Sequence, residues 1–318
     1  MRKYSLAVIP ASFILMLLLS SAPAARADFT THQGMVNRLA ALSKYDAASG
    51  GNRLKVSVIG SSVRGRSIVM AQVCDPKADP STVQRLFVIC RQHGDEPATT
   101  EAMLNLIEIL VKAQDDSTKD ILSKVAFFIV PMVNPDGADA FTRRNANNAD
   151  LNRDWLKLSQ PETKSVRAAI DKVNPDAILD EHELSPGNMH NDYVETSGPS
   201  CGAPDDVVRE SQHLEALVIG MLAVHHMPVT CYKITDQCPA RLAHRYFAIR
   251  AHKICILFET RQSGARNHQL DYRMNYHIIG TMTVAKYLAG RQDELVARIS
   301  QQENIARKVG LLSSDKGR

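Results

Sequence analysis

Short apolar runs separated by longer amphipathic stretches set the pattern of the chain. Continuous or alternating apolar positions predict strands at about Leu54 to Ile59, Ile68 to Cys74, Arg85 to Cys90, Val125 to Val133, Ala177 to Leu179, Val229 to Tyr232 and Ile254 to Phe258. Apolar spacing with a helical period predicts helices over Ala98 to Ala113, Pro161 to Val173, Asp205 to His225, Ala240 to Ala251 and Tyr272 to Leu288. Strands alternating with helices of this length predict an α/β fold with a mostly parallel sheet and helices on both faces. The first two strands have no helix between them. Val63-Arg64-Gly65-Arg66 turns them into a hairpin, which makes the sheet mixed. The charged, amphipathic stretch from Arg291 to Lys308 predicts a solvated terminal helix.

Ligands of such sheets bind at the carboxyl ends of the strands, and four strand ends here are followed by polar residues. His93 and Glu96 lie in V-I-C-R-Q-H-G-D-E-P-A-T-T, Asn134 to Gly137 form N-P-D-G, His182 lies in I-L-D-E-H-E-L, and Glu259 ends I-C-I-L-F-E-T-R. A His and a Glu three positions apart, between a strand and a helix, supply two-thirds of a zinc site. His182, one step beyond a predicted strand, can complete a His₂Glu set with a fourth position open to water, the arrangement of catalytic zinc. Asp180 is spaced to orient an imidazole. Glu259 is a candidate general base for a water whose pKa the metal lowers. The plainer alternatives are a surface His beside acids, and a Glu259 paired with Arg261. His225 and His226 are adjacent and point different ways on a helix, so they suggest no site.

The stretch T-R-R-N-A-N-N-A-D-L-N-R-D-W, Thr142 to Trp155, has little periodicity and concentrates arginine and asparagine. Fixed guanidinium groups suit a carboxylate or a developing oxyanion. The lone tryptophan behind it implies a packed loop.

Arg2 and Lys3 precede an apolar run from Leu6 to Leu19, and Ala25-Arg26-Ala27 follows, which predicts a signal peptide over residues 1–27. Residues 28–318 are then one domain, exported to the periplasm or secreted, with no stable membrane insertion after cleavage; a retained anchor is the alternative reading. Cleavage removes Arg2, Lys3 and Arg26 and no acid, so the formal charge falls from +4 to +1. That is no nucleic-acid footprint. Of the six cysteines, Cys74, Cys90 and Cys255 sit in strand-like runs and read as buried thiols, while Cys231 and Cys238 are the candidate disulfide pair.

H-G-D-E-P-A, N-P-D-G, R-x-N-A-x-x-x-D-L-N-R and F-E-T-R, in this order and approximate spacing, resemble the zinc metallocarboxypeptidases of the carboxypeptidase A type, from about Val56 to Leu288. The resemblance implies a mixed, twisted, eight-stranded sheet between helices and one zinc ion per chain held by His93, Glu96 and His182. It further implies that Glu259 is the general base and later protonates the leaving amine. Arg143, or Arg144 by a one-residue shift, would stabilise the oxyanion, and Asn152 and Arg153 would bind the substrate's terminal carboxylate. His244 falls where the family carries its specificity residue, and with Arg241, Arg245 and Arg250 nearby it suggests an acidic or zwitterionic side chain; a helix with arginines on its wet face is the alternative.

The chain also departs from the family pattern. Glu183-Leu184 follow the third ligand where Ser-Tyr is usual, Asn148 replaces a glycine, and Asp154 follows Asn152-Arg153 in place of asparagine. For the mobile family tyrosine, Tyr246 and Tyr232 are both candidates. The 86-residue step from Glu96 to His182 resembles the compact bacterial members, some of which trim peptidoglycan peptides.

The expected function is an exported, zinc-dependent carboxypeptidase that hydrolyses the C-terminal amide bond of a peptide with a free C-terminal carboxylate, including a peptidoglycan-derived one. A zinc-dependent N-acyl-amino-acid deacylase of the aspartoacylase or succinylglutamate desuccinylase kind is the alternative. A non-catalytic module is opposed by the presence of all three ligands and the base.

Overall fold

The computed structural model describes residues 29–184, 192–227, 229, 231–235, 238–262 and 269–308. Its strands are β1 (Leu54–Ser61), β2 (Ser67–Val73), β3 (Gln84–Cys90), β4 (Val125–Val130), β5 (Ala177–Leu184), β6 (Tyr193–Ser197), β7 (Cys231–Thr235) and β8 (Ile254–Arg261). Its helices are α1 (His32–Ala48), α2 (Pro97–Lys112), α3 (Asp116–Lys124), α4 (Pro135–Ala140), α5 (Pro161–Val173), α6 (Asp205–Val224), α7 (Ala243–Ile249), α8 (Leu270–Leu288) and α9 (Gln292–Lys308). The strands form one 8-stranded sheet in the order β1-β2-β4-β3-β5-β8-β6-β7.

The expectation of a mostly parallel sheet needs correction. β3 is parallel to β4 and β5, β5 to β8, and β6 to β7, whereas β1–β2, β2–β4 and β6–β8 are antiparallel. The parallel pairs are those joined through helices. The antiparallel ones come from the predicted hairpin, closed by the Ser62 N–H on the Arg66 carbonyl at 2.8 Å, and from β6, which periodicity did not reveal. β6 is five residues long and buries Glu195 and Thr196 at its centre, so it lacks an apolar alternation.

Helices cover both faces, and the side chains of β5 alternate between two cores. Ala177 and Leu179 join a core with α1, α2, α6 and α8, through residues such as Leu39, Leu106, Leu214 and Val284. Ile178 faces the other way, into a core with Val166 and Ile170 of α5, Phe247 of α7 and Trp155. Burying each such side chain stabilises the fold by roughly 1.5–3 kcal/mol. The neighbouring strands β4, β3, β5 and β8 run in the same direction, so their carboxyl ends share one edge.

Cys90 and Cys255 are buried as expected and Cys74 is half-buried. The signal segment, the Tyr232 side chain and the Cys231–Cys238 pairing lie outside the described residues. Among the described residues no helix is long and apolar enough to cross a membrane.

Candidate metal centre and active site

β3 ends at Cys90, and the turn that follows delivers Gln92, His93 and Glu96 before Pro97 opens α2, a favoured residue for a first helical position. The turn is closely packed. A Cβ added to Gly94 would lie 2.0 Å from the Gly137 carbonyl carbon, so the N-P-D-G segment and this turn fit only with glycine there. Asn134 fastens the same contact: its Oδ1 accepts the Gly137 N–H at 2.9 Å, and its Nδ2 donates to the carbonyls of Gln92 at 3.2 Å and Arg143 at 3.4 Å. N-P-D-G, which follows the strand as a polar cluster, forms the N-cap and first turn of α4.

His93, Glu96 and His182 come together as a buried group with ligand atoms within 4.8 Å of one another. Both rings present Nδ1 to Glu96: His93 at 2.6 Å from Oε1 and His182 at 2.7 Å from Oε2. The far nitrogens have their own carboxylates, His93 Nε2 lying 3.0 Å from Asp150 Oδ1 and His182 Nε2 3.0 Å from Asp180 Oδ1. Two imidazole nitrogens and a carboxylate are a donor set suited to zinc. Carboxylates behind the imidazoles fix the rings and make them better ligands. The residues therefore fit a single divalent ion, and Asp180 stands where its spacing suggested.

Burial opposes ionisation of Glu96, but His93 and His182 outweigh it and hold the carboxyl below its ordinary range. Asp150 is held well below it too, burial being overcome by the hydrogen bond and charge of His93 and then by Arg143 and Arg153. For His182 burial works against protonation, while Asp180 and Glu96 raise its pKa.

Glu259 lies on β8 directly opposite His182 of β5 and Tyr193 of β6. Its Oε2 is buried and has no hydrogen-bond partner among the described residues. Burial raises its pKa; Glu96 and Asp180 add to the rise, and His182 and Arg143 counter it. The structural alternative for this residue is not realised, because Arg261 pairs with Asp192 at 3.3 Å.

The arginine-rich loop sorts its side chains clearly. Arg143 reaches Glu96 Oε1 at 3.5 Å and Asp150 Oδ2 at 3.2 Å, whereas Arg144 turns outward to the Asn148 carbonyl at 3.0 Å. Of the two, Arg143 faces the cluster. Asn152 lies 3.0 Å from His182 Nε2 and accepts the Ala243 N–H at 2.8 Å. Arg153 donates to the Asn152 carbonyl at 3.0 Å; burial lowers its pKa, as do the nearby cations of Arg143, Arg241 and Arg245. Trp155 is fully buried and donates to Gln92 Oε1 at 2.7 Å, so the loop is packed as expected.

His244 is buried, its Nε2 3.0 Å from Glu195 Oε1 and its Nδ1 3.5 Å from Asp180 Oδ2. Arg245 joins the same Glu195 oxygen at 2.7 Å. The arginines expected around His244 thus divide: Arg245 is neutralised by Glu195, while Arg241 and Arg250 are exposed. Tyr246 is occupied elsewhere, its hydroxyl on Arg167 of α5 and its ring 4.8 Å beneath that guanidinium.

Sequence reasoning missed four residues of this edge: Gln92, Asp150, Tyr193 and Glu195. Gln92 donates to Asp180 Oδ1 at 2.6 Å and so ties Trp155 to the ligand strand. Tyr193 packs with Leu184 and Leu257, and burial together with Glu259, Glu195 and Glu96 raises its hydroxyl pKa. The first two lie inside the quoted motifs, as the glutamine of R-Q-H-G and the aspartate of D-L-N-R, and were legible there. The other two lie on β6.

A profile described as zinc carboxypeptidase matches residues 41–197. Carboxypeptidase 2 of Trichophyton rubrum is 38% identical over 95 residues, which is 30% of this chain and 18% of that protein. The match thus spans about a fifth of that curated relative's length. The fold is similar to a metallo-carboxypeptidase from Burkholderia cenocepacia, with a TM-score of 0.66 at 18% identity over 79% of this chain and 67% of that one. It is also similar to a metallo-carboxypeptidase from Pseudomonas aeruginosa in complex with (2-guanidinoethylmercapto)succinic acid, with a TM-score of 0.66 at 23% identity over 83% of this chain and 69% of that one.

Proposed function

The chain belongs to the zinc carboxypeptidase family, and on that premise we propose that it is an exported zinc-dependent carboxypeptidase that removes the C-terminal residue of a peptide. The observation that carries this reading is the convergence of His93 Nδ1, His182 Nδ1 and both Glu96 oxygens, with Glu259 Oε2 left without a hydrogen-bond partner among the described residues. When bound by His93, Glu96 and His182, zinc supplies a Lewis acid that polarises a carbonyl and brings the pKa of water down to about 7.

The chain's own groups do the rest. Glu259 Oε2 takes a proton from the attacking water and gives it to the departing amine, a role suited to a carboxylate with a raised pKa. Arg143, half-exposed beside Glu96, meets the negative charge that develops on the carbonyl oxygen. Arg153 and Asn152 anchor the substrate's terminal carboxylate, Arg153 lying near the cations of Arg143, Arg241 and Arg245 as well as near Asp150. Asp150 and Asp180 hold the two imidazoles in the ligating orientation.

Within this class a peptidoglycan-derived peptide is the proposed substrate, in keeping with export and with the short Glu96-to-His182 step. The family match and the relatives' names fall on the peptidase side, and no observation favours the deacylase reading.

The test is zinc content measured alongside release of products from a peptidoglycan tripeptide, hippuryl-type peptides and N-acyl amino acids. One zinc per chain with chelator-sensitive release of a C-terminal residue is the expected result. A metal-replete chain that binds no zinc, or one that cleaves only acyl amino acids, would overturn the proposal.

A further inference from the structure

Glu183 occupies the position after the third ligand where the family pattern has serine, and it is buried. Its side chain turns to the face of the sheet opposite Asp180 and His182, toward α8. There the rows of β5 and α8 match: Glu183 pairs with Arg273, and Glu181, two residues earlier, pairs with His277 and accepts from Thr281 Oγ1 at 3.2 Å. Two residues of strand advance about 6.6 Å and four residues of helix about 6 Å. Successive turns of α8 therefore stay in step with alternate positions of β5, and the result is a buried ladder of charged pairs.

The two rungs differ in what else they touch. The lower rung is self-contained, His277 Nε2 lying 3.3 Å from Thr260 Oγ1. The upper rung reaches the ligand turn. Glu183 Oε2 accepts the Ala98 N–H at 2.7 Å, in the first turn of the helix that Glu96 caps, and the Glu183 backbone N–H donates to Glu96 Oε2 at 3.2 Å. A carboxylate at a helix N-terminus is favoured by the free N–H groups and the macrodipole. One residue thus grips both ends of the Glu96 segment, while Arg273 fixes that residue from α8.

We propose that Glu183, braced by Arg273, is a positioning residue for the metal ligand Glu96 and sets the affinity of the site for zinc. The proposal rests on the zinc reading of the cluster. It predicts that loss of the upper rung weakens metal binding, whereas loss of the lower rung lowers only stability.

The experiment measures zinc affinity by competition with a chromophoric chelator, and melting temperature, for the full exported chain and the variants Glu183→Ala, Glu183→Gln, Arg273→Ala and Glu181→Gln. Glu183→Ala and Arg273→Ala should weaken zinc binding by about 10- to 100-fold. Glu183→Gln, which keeps an oxygen for the Ala98 N–H, should weaken it less but measurably, and it carries the test if the alanine variants do not fold. Glu181→Gln should melt lower with its zinc affinity within about twofold of wild type, well short of the loss expected for a disturbed ligand support. Wild-type affinity in Glu183→Gln and in any folded Glu183→Ala would overturn the proposal, as would an equal loss in Glu181→Gln. A wild-type chain that takes up no zinc would overturn both this proposal and the metal reading, and so separates the two failures.

Discussion

The two faces of β5 carry buried charge in opposite ways. Toward α8, both oxygens of Glu181 and of Glu183 are taken by fixed partners, His277 and Thr281 for one, Arg273 and the Ala98 N–H for the other. Toward α7 and the ligand turn, His182 and Asp180 share partners with Glu96, Gln92, Asn152 and His244, and Glu259 beside them keeps one oxygen unpartnered among the described residues. Desolvated polar groups are costly unless paired. A closed set of pairs stabilises and rigidifies, whereas an open one is tolerable where a ligand completes it. The difference assigns scaffold duty to one face and chemistry to the other.

The strongest way to break this contrast is Glu259→Gln. Because its Oε2 makes no hydrogen bond within the described protein, the substitution should leave melting temperature and zinc content near wild type. It should lower kcat by about 10²- to 10⁴-fold, the usual worth of a general base. Near-normal turnover would remove the distinction between the faces. Next in size, Arg143→Ala should cost about 10²-fold in kcat as an oxyanion partner, while Arg153→Ala should mainly raise KM. Steady-state kinetics on one peptide separates them, and matching kcat losses would refute the division of labour.

Gly94→Ala tests the packing that holds the open face together. Its new Cβ meets backbone and not a movable side chain, so it should destabilise the fold by about 1–3 kcal/mol or more, read as a lower melting temperature.

The chemistry of this edge was more legible in the sequence than the sheet that carries it. His93 and Glu96 lie just past β3, and His182 and Glu259 lie in the carboxyl-terminal halves of β5 and β8, so their convergence needs only the rule that parallel strands end on one edge. β6 was illegible because it buries polar residues: Glu195 is satisfied by His244 and Arg245, partners some fifty residues away that no local pattern reveals. The antiparallel pairing of β6 with β8 went unseen with it, whereas the β1–β2 hairpin was legible and already made the sheet mixed. The same limit hid the role of Glu183, which reads locally as an odd acid after a histidine and finds its partner on α8. The orientation of Arg143 and Arg144, adjacent and alike in sequence, is decided by Asp150 on one side and the Asn148 carbonyl on the other.

The smallest expected effect concerns the Glu195, His244 and Arg245 trio, which lies on the reactive face yet pairs its charges as the other face does, Glu195 Oε1 meeting both His244 Nε2 and Arg245. Burial would raise the Glu195 pKa, but His244 and Arg245 bring it down to about 2. A depressed carboxyl contributes stability that is present above its ordinary pKa of 4.5 and is lost as pH falls toward about 2. His244 is shifted the other way, burial being outweighed by Asp180 and Glu195, so its contribution is full below its ordinary 6.5 and is lost as pH rises through the higher folded value. The two windows overlap between pH 4.5 and 6.5. The difference in melting temperature between wild type and Glu195→Gln should therefore be greatest there and shrink on both sides. A difference that stays flat from acid to mildly alkaline pH would mean that the trio acts through packing, and that its charges give the reactive face no ionic support.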